Sequence, residues 1–350
     1  MSAAQIVHAS TRTAIDLFAG AGGATQGLAE SGIRVLGAVE IERHAAASYR
    51  ANHADVRLWQ QDIRSLPAQE MRRELGLEPG ELTLLKACPP CQGFSSLADG
   101  GSTRDDPRNE LVVDTVRFVR AFRPKIVLVE NVRGLARDPR SERIRAALGS
   151  LGYSSRNYLV DATDFGVPQR RKRFIMLAVR GKRRGLPDRL DTGSSGVATV
   201  RTAFSKLERQ ISDSDPLHEE VEVSEIVRRR IEAVPIGGDR FDLPTELQLE
   251  CHRKLTGGSS RGASGSYGRL KWDEPAPTMT TRCTTPACGS FIHPDLNRPI
   301  TLREAAAIQT FPADYKFVGG RVAVASQIGN AVPILMARNI ASAALQIVES

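Results

Sequence analysis

Between residues 13 and 179 the chain alternates short β-branched runs with helical stretches, and this rhythm restricts its fold more than any other feature. Residues 13–18, 33–39, 82–87, 125–130 and 173–179 read as strands; 24–30, 43–52, 110–121 and 141–148 read as helices between them. A helix between two strands returns the second strand parallel to the first. The expected architecture is therefore α/β: a parallel or mostly parallel sheet with helices on both faces. With 41% of 350 residues apolar, a core can form without staples, which excludes disorder and a disulfide-built miniprotein.

The rhythm stops near Arg184. From 185 to about 282 the chain turns to Gly, Ser and Pro, with one helix expected at 223–233, and reads as a second, loop-rich domain. Residues 257–268 read either as a surface linker or as a loop that closes on a partner. Thr301 caps a helix that Phe311-Pro312 stops, and 331–348 reads as a long amphipathic helix after a Gly329-Asn330 turn. No apolar stretch is expected to reach the roughly 18 to 20 residues of a membrane span. The five cysteines are odd in number and no export signal opens the chain, so they are read as reduced, cytosolic thiols.

The charge balance bears on partners. Lys and Arg number 48 against 40 acids, for a net charge of +8, and only eight of the 48 are Lys. Arginine's planar fork suits phosphate oxygens and guanine edges, which fits a nucleic-acid partner. A GC-rich genome's codon habit would leave the same mark. Residues 170–184 concentrate the charge, with eight basic side chains and no acid.

Three strand ends carry candidate chemistry. The first strand runs through Phe18-Ala19-Gly20-Ala21-Gly22-Gly23 into a helix, a turn that lets the backbone approach a nucleotide-like cofactor. Glu40 follows Gly20 by 20 residues, the spacing at which an acid takes ribose hydroxyls, and Asp62 follows the third strand-like segment. These residues alone leave both a nicotinamide dinucleotide and S-adenosylmethionine open. The fourth strand opens into Cys88-Pro89-Pro90-Cys91, which reads as a redox dithiol, as half of a zinc site completed by Cys283, Cys288 and His293, or as a loop presenting one thiol. The fifth strand ends in Glu130-Asn131, at the same edge.

These blocks resemble the DNA (cytosine-5) methyltransferases over essentially the whole chain. In the family's order stand Phe18-Ala19-Gly20-Ala21-Gly22, Pro90-Cys91-Gln92-Gly93-Phe94-Ser95, Glu130-Asn131-Val132, Gln169-Arg170-Arg171-Lys172-Arg173, Arg303-Glu304 with Gln309-Thr310-Phe311-Pro312, and Gln327-Ile328-Gly329-Asn330-Ala331-Val332-Pro333. Gln61 departs from the Gly common before the adenine-binding acid. The Cys-Phe-Thr element of the branch that methylates transfer RNA is missing, so the resemblance implies DNA.

The resemblance implies a Rossmann-like S-adenosylmethionine-dependent fold. Residues 1–184 with 322–350 would form the catalytic domain, and 185–321 an inserted target-recognition domain. It implies Cys91 as nucleophile, Glu130 at the base's ring nitrogen 3, and Arg171 and Arg173 lining the base pocket, with Cys88 structural or incidental. S-adenosylmethionine would meet Phe18, Gly20, Gly22, Glu40, Ile41, Asp62, Ile63, Asn330 and Val332. DNA would meet Gln92, Ser95, Arg170, Lys172 and Arg303. No metal is expected. A cytoplasmic monomer acting on double-stranded DNA, within restriction-modification or phage defence, completes the expectation.

Overall fold

The computed structural model describes residues 12–90, 110–181, 185–193, 196–212, 214–250 and 265–349. Seven strands form one sheet: β1 (Thr13–Leu17), β2 (Arg34–Val39), β3 (Arg57–Trp59), β4 (Leu84–Ala87), β5 (Ile126–Val132), β6 (Tyr153–Asp161) and β7 (Lys172–Arg180), in the order β3-β2-β1-β4-β5-β7-β6. The first five are mutually parallel, while β7 runs antiparallel to both β5 and β6. This strand order and direction match the Rossmann-like sheet expected from the sequence. The central strands are near-continuous apolar runs because both faces are covered.

One face is covered by α3 (Ala68–Glu74), α4 (Leu111–Phe122) and α5 (Pro139–Ser150), whose Met71, Phe118, Phe122, Ile144 and Leu148 pack on Ile15, Leu85 and Val127. The other takes α1 (Gly23–Glu30), with the C-terminal helix lying across it; between the two in sequence come α2 (Arg43–Asn52), α6 (Val200–Glu208), α7 (Glu225–Ala233), α8 (Leu302–Ile308) and α9 (Arg321–Asn330), and the C-terminal helix is α10 (Ile334–Glu349). Gly27 makes the α1–α10 approach possible, since a side chain there would start 2.5 Å from the Ile334 carbonyl.

Several elements differ from expectation. Strand β6 was not anticipated: its YSSRNYLVD pattern is mostly polar, as suits an edge strand paired on one side. Helix α6 lies in the stretch where only α7 was expected. Gly329-Asn330 does not form a turn but ends α9, and the chain breaks at residues 331–333 before α10 starts. Residues 321–349 also hold an 18-residue window apolar enough to cross a bilayer, at mean hydropathy 1.5, contrary to expectation. That window is 61% buried inside the fold, so its apolar character is accounted for by the core.

The later half contributes two further cores. One joins Val200, Phe204, Leu270, Phe291 and Ile300 with Ile308, Phe311, Val324 and Ile328 from α8, α9 and the segment between them. A smaller one gathers Ile231, Val234, Leu247, Tyr267 and Ile292 around α7.

Candidate active site

The chain steps outward from β1 to β2 to β3, then returns to place β4 on the other side of β1. In an open α/β sheet, ligands dock beyond the carboxyl ends of the strands at this reversal. Here the ends of β1 and β4 are held side by side: Leu17 pairs with Ala87, and the Cys88 amide donates to the Leu17 carbonyl at 3.2 Å. An open cleft of about 2340 Å³ sits above them. That is well beyond the roughly 300–1,000 Å³ of a small-ligand site, leaving room for a cofactor and part of a second substrate.

One half of the cleft is built on β1, β2 and the turn after β3. Phe18 (φ +60) and Gly20 (φ +59) both adopt left-handed backbone, which for Phe18 is a strained conformation stored at the strand end. No atom lies within 4 Å of where a Gly20 side chain would begin, so that face is open to a ligand. The Gly20 amide donates to Glu40 Oε2 at 2.8 Å and the Glu42 amide to Oε1 at 2.7 Å, fixing the carboxylate at the rim. Burial raises the Glu40 pKa despite these backbone donors. Asp62 caps the turn at Ile63–Ser65 and is paired with Arg64, whose hydrogen bonds lower its pKa. Ile41 and Ile63 line this half too, together with Asn330 at the end of α9 and Val332 just beyond it.

Gly22 does not line the cleft with them. Its left-handed backbone (φ +97) turns it the other way, where a side chain would start 2.6 Å from the His53 ring and 2.8 Å from the Tyr315 hydroxyl.

The other half holds Glu130, buried at the end of β5. The Cys88 thiol donates to Oε2 at 2.7 Å, and Arg173 Nε lies 3.0 Å from Oε1. The Arg173 contact is off the N–H axis, a charge pairing that leaves Oε1 without a hydrogen-bond donor among the described residues. A buried carboxylate oxygen facing a cleft in this way is an acceptor site for a ligand. Asn131 donates to the Pro89 carbonyl at 3.1 Å, fixing the start of the loop that leads to Cys91. Cys91, Gln92 and Ser95 lie outside the described residues, as do 257–264 of the glycine-rich stretch.

Arg171 lines the cleft, but its terminal nitrogens donate to the carbonyls of Met279 (3.1 Å), Gly329 (3.1 Å) and Ala331 (3.0 Å). It clamps the chain around the pocket. Gln169 works beside it, donating to Gln309 and accepting from the Met279 amide. Gly329 must lack a side chain, which would start 2.2 Å from the Thr280 backbone. Met279, Thr280 and Thr281 therefore line the cleft, a wall the sequence did not signal because a loop carries no periodicity.

Among its described residues the basic run does not form one surface. Arg170 and Lys172 are exposed at the cleft, Arg170 paired with Glu274 at 3.1 Å. Arg180 stands at the far end of β7, donating to the Gly80 carbonyl; residues 182–184 lie outside the described set. Arg303, expected at DNA, is turned inward instead: only 5% exposed, it is ion-paired with Asp215 and donates to the Tyr315 carbonyl. Exposed Arg133 and Arg137, not anticipated, line the cleft after β5.

Cys283 is buried, its thiol pushed up to about 12, and Cys288 lies beside Arg282. No group of three or more metal-ligating side chains gathers among the described residues.

The family model described as C-5 cytosine-specific DNA methylase matches residues 12–346. Two relatives span nearly the whole chain. The type II methyltransferase M1.HphI of Haemophilus parahaemolyticus is 34% identical over 97% of this chain and 88% of its own. The type II methylase M.HgiDII of Herpetosiphon aurantiacus is 33% identical over 96% and 95%. Among solved structures, a prophage-encoded DNA modification methyltransferase of E. coli superposes with TM-score 0.70 at 25% identity, covering 97% of this chain and all of that one. The S. pombe Dnmt2 methyltransferase shares the fold, with TM-score 0.67 at 16% identity over 97% of this chain and all of that one.

Proposed function

We propose a reaction course for this chain, which belongs to the C-5 cytosine-specific DNA methylase family and is a DNA cytosine-5 methyltransferase. The target cytosine swings out of the duplex into the half of the cleft around Glu130, because its ring atoms are unreachable inside the stack. The Cys91 thiolate adds to ring carbon 6, forming a carbon–sulfur bond and moving the ring electrons onto carbon 5. Glu130 hydrogen-bonds or protonates ring nitrogen 3, drawing electrons from carbon 6 as the thiolate attacks. Arg173, beside Glu130, meets the base's carbonyl oxygen. S-adenosylmethionine, when bound, would supply a sulfonium methyl group to carbon 5, its sulfur–methyl bond breaking to leave S-adenosylhomocysteine. Water then takes the proton from carbon 5, the double bond re-forms as the thiolate leaves, and any proton given to ring nitrogen 3 returns to Glu130.

The residues around the turn fit that co-substrate. Gly20 leaves its backbone open, Phe18 offers a ring, and Glu40 holds a carboxylate whose remaining lone pairs suit the two ribose hydroxyls. Asp62 would take the adenine amine, with Ile41 and Ile63 as its apolar sides and Asn330 and Val332 closing from the end of α9 and just beyond it. Residues 185–321 serve as the target-recognition region, and Arg133, Arg137, Arg170 and Lys172 offset the few kcal/mol of base extrusion through phosphate contacts. The type II names of the relatives support a place in restriction-modification; the enzyme is read further as a cytoplasmic monomer acting on double-stranded DNA.

One observation carries this reading: the glycine turn after β1 and the Cys88–Glu130–Arg173 group after β4 and β5 open into one cleft. The test is transfer of labelled methyl groups from S-adenosylmethionine to DNA. The wild type is expected to label DNA and Cys91→Ala to lose that activity. Wild-type protein that labels no genomic DNA at low salt would overturn the reading.

A further inference from the structure

Gly22 belongs to the glycine turn yet faces away from the cleft, and the side chains it faces form a connected group. Tyr315 donates its hydroxyl proton to the Ala21 carbonyl at 2.6 Å. With that single proton used, the Tyr315 oxygen can only accept from His53 Nε2, 3.0 Å away. His53 Nε2 therefore carries its proton, and it lies 3.2 Å from the Gly22 carbonyl as well. Two consecutive carbonyls of the turn are thus held from behind by two buried side chains.

Both side chains are themselves fixed. His53 ends α2 and lies 4.9 Å from the Tyr49 ring, whose hydroxyl meets Thr25 at the start of α1. Tyr315 packs on Phe311 at 4.8 Å, and its own carbonyl accepts from Arg303. Just beyond it, Asn52 exchanges two hydrogen bonds with the Lys316 backbone, and the Val318 amide donates to Ser48. The 315–318 segment is therefore docked along α2 at several points.

We propose that Tyr315 and His53 are positioning residues for the cofactor turn, aligning the Phe18–Gly23 backbone for its ligand through the Ala21 and Gly22 carbonyls. This rests on reading the turn as the S-adenosylmethionine site. It gives Gly22 its role: a side chain there would displace the brace. It also gives the 303–318 segment a direct hold on the half of the cleft furthest from the base.

The test is calorimetric binding of S-adenosylhomocysteine to the full chain, with DNA affinity measured separately without cofactor. Wild-type protein that fails to bind S-adenosylhomocysteine refutes the cofactor reading itself. If the wild type binds, Tyr315→Phe, which keeps the ring and deletes one hydrogen bond to a buried carbonyl, is expected to weaken cofactor binding about tenfold. DNA affinity and the kcat at saturating cofactor should stay within about twofold. His53→Gln, which can return a donor near Nε2, should bind within about threefold of wild type, whereas His53→Leu should lose about tenfold. Unchanged cofactor affinity in Tyr315→Phe, an equal loss of DNA affinity, or equal losses in His53→Gln and His53→Leu would each overturn the proposal.

Discussion

The Cys88 thiol donates to Glu130 Oε2 at 2.7 Å, so the first cysteine of the Cys-Pro-Pro-Cys loop contacts the carboxyl group assigned to the base. On the opposite oxygen stands Arg173, which projects from the β7 residue opposite Val132, two places along β5 from Glu130. The two contacts differ in strength. A thiol is a weak neutral donor, whereas the arginine supplies the charge that keeps a buried carboxylate tolerable.

The two cysteines should therefore separate cleanly. Cys88→Ala is expected to lower the methylation rate by less than about tenfold, the scale of one hydrogen bond from a weak donor. Cys91→Ala should be inactive. Steady-state rates on one DNA substrate make the comparison, and an inactive Cys88→Ala would remove the distinction drawn between them.

Arg173→Ala leaves Glu130 buried without its counter-charge. Breaking a buried pair costs about 3 kcal/mol of stability, and loss of the donor at the base's carbonyl oxygen is expected to lower single-turnover rates by about 100-fold or more. Arg173→Lys should recover only part, since an ammonium cannot reproduce the guanidinium plane.

Glu40 predicts a pH dependence. Its pKa is raised by burial, so it gains a proton at a higher pH than an ordinary glutamate. A protonated carboxyl loses acceptor capacity toward ribose hydroxyls. Cofactor affinity should thus be full near neutrality and fall on acidification, beginning above the usual glutamate range. Glu40→Gln should have weak affinity at all pH values and a flat profile. Calorimetric titrations across pH 5 to 8 would show it.

Much of the fold was legible because the central strands are apolar runs and the helices between them have clear ends. The edge strand β6 was not, because a strand paired on one side tolerates a polar pattern. The candidate site was legible as a place where side-chain chemistry sits at strand ends, since Glu40 and Glu130 both line the cleft. It was illegible where contacts join distant segments. Nothing near Arg303 in sequence announces Asp215, 88 residues away, and nothing near Gly22 announces Tyr315. Gly329 looks like a turn residue, yet it closes a helix because the Thr280 backbone crosses there.

Arg303 supplies the contrast. As a buried partner of Asp215, Arg303→Ala should cost about 3 kcal/mol of stability. The dependence of DNA affinity on salt should stay unchanged, because no phosphate contact is removed. Arg133→Ala with Arg137→Ala should do the reverse: normal melting and a shallower salt slope. Denaturant melts and DNA titrations at several salt concentrations distinguish them.

The most direct measurement of the central claim is peptide mapping of the enzyme after reaction with DNA carrying 5-fluorocytosine at the target position. Fluorine at carbon 5 prevents the final proton removal, so the sulfur–carbon bond should persist through denaturation. The predicted result is one nucleotide-bearing peptide, cross-linked at Cys91 and formed only when S-adenosylmethionine is present. Methylation of normal DNA with no adduct on the fluorinated one, or an adduct on another residue, would contradict the account.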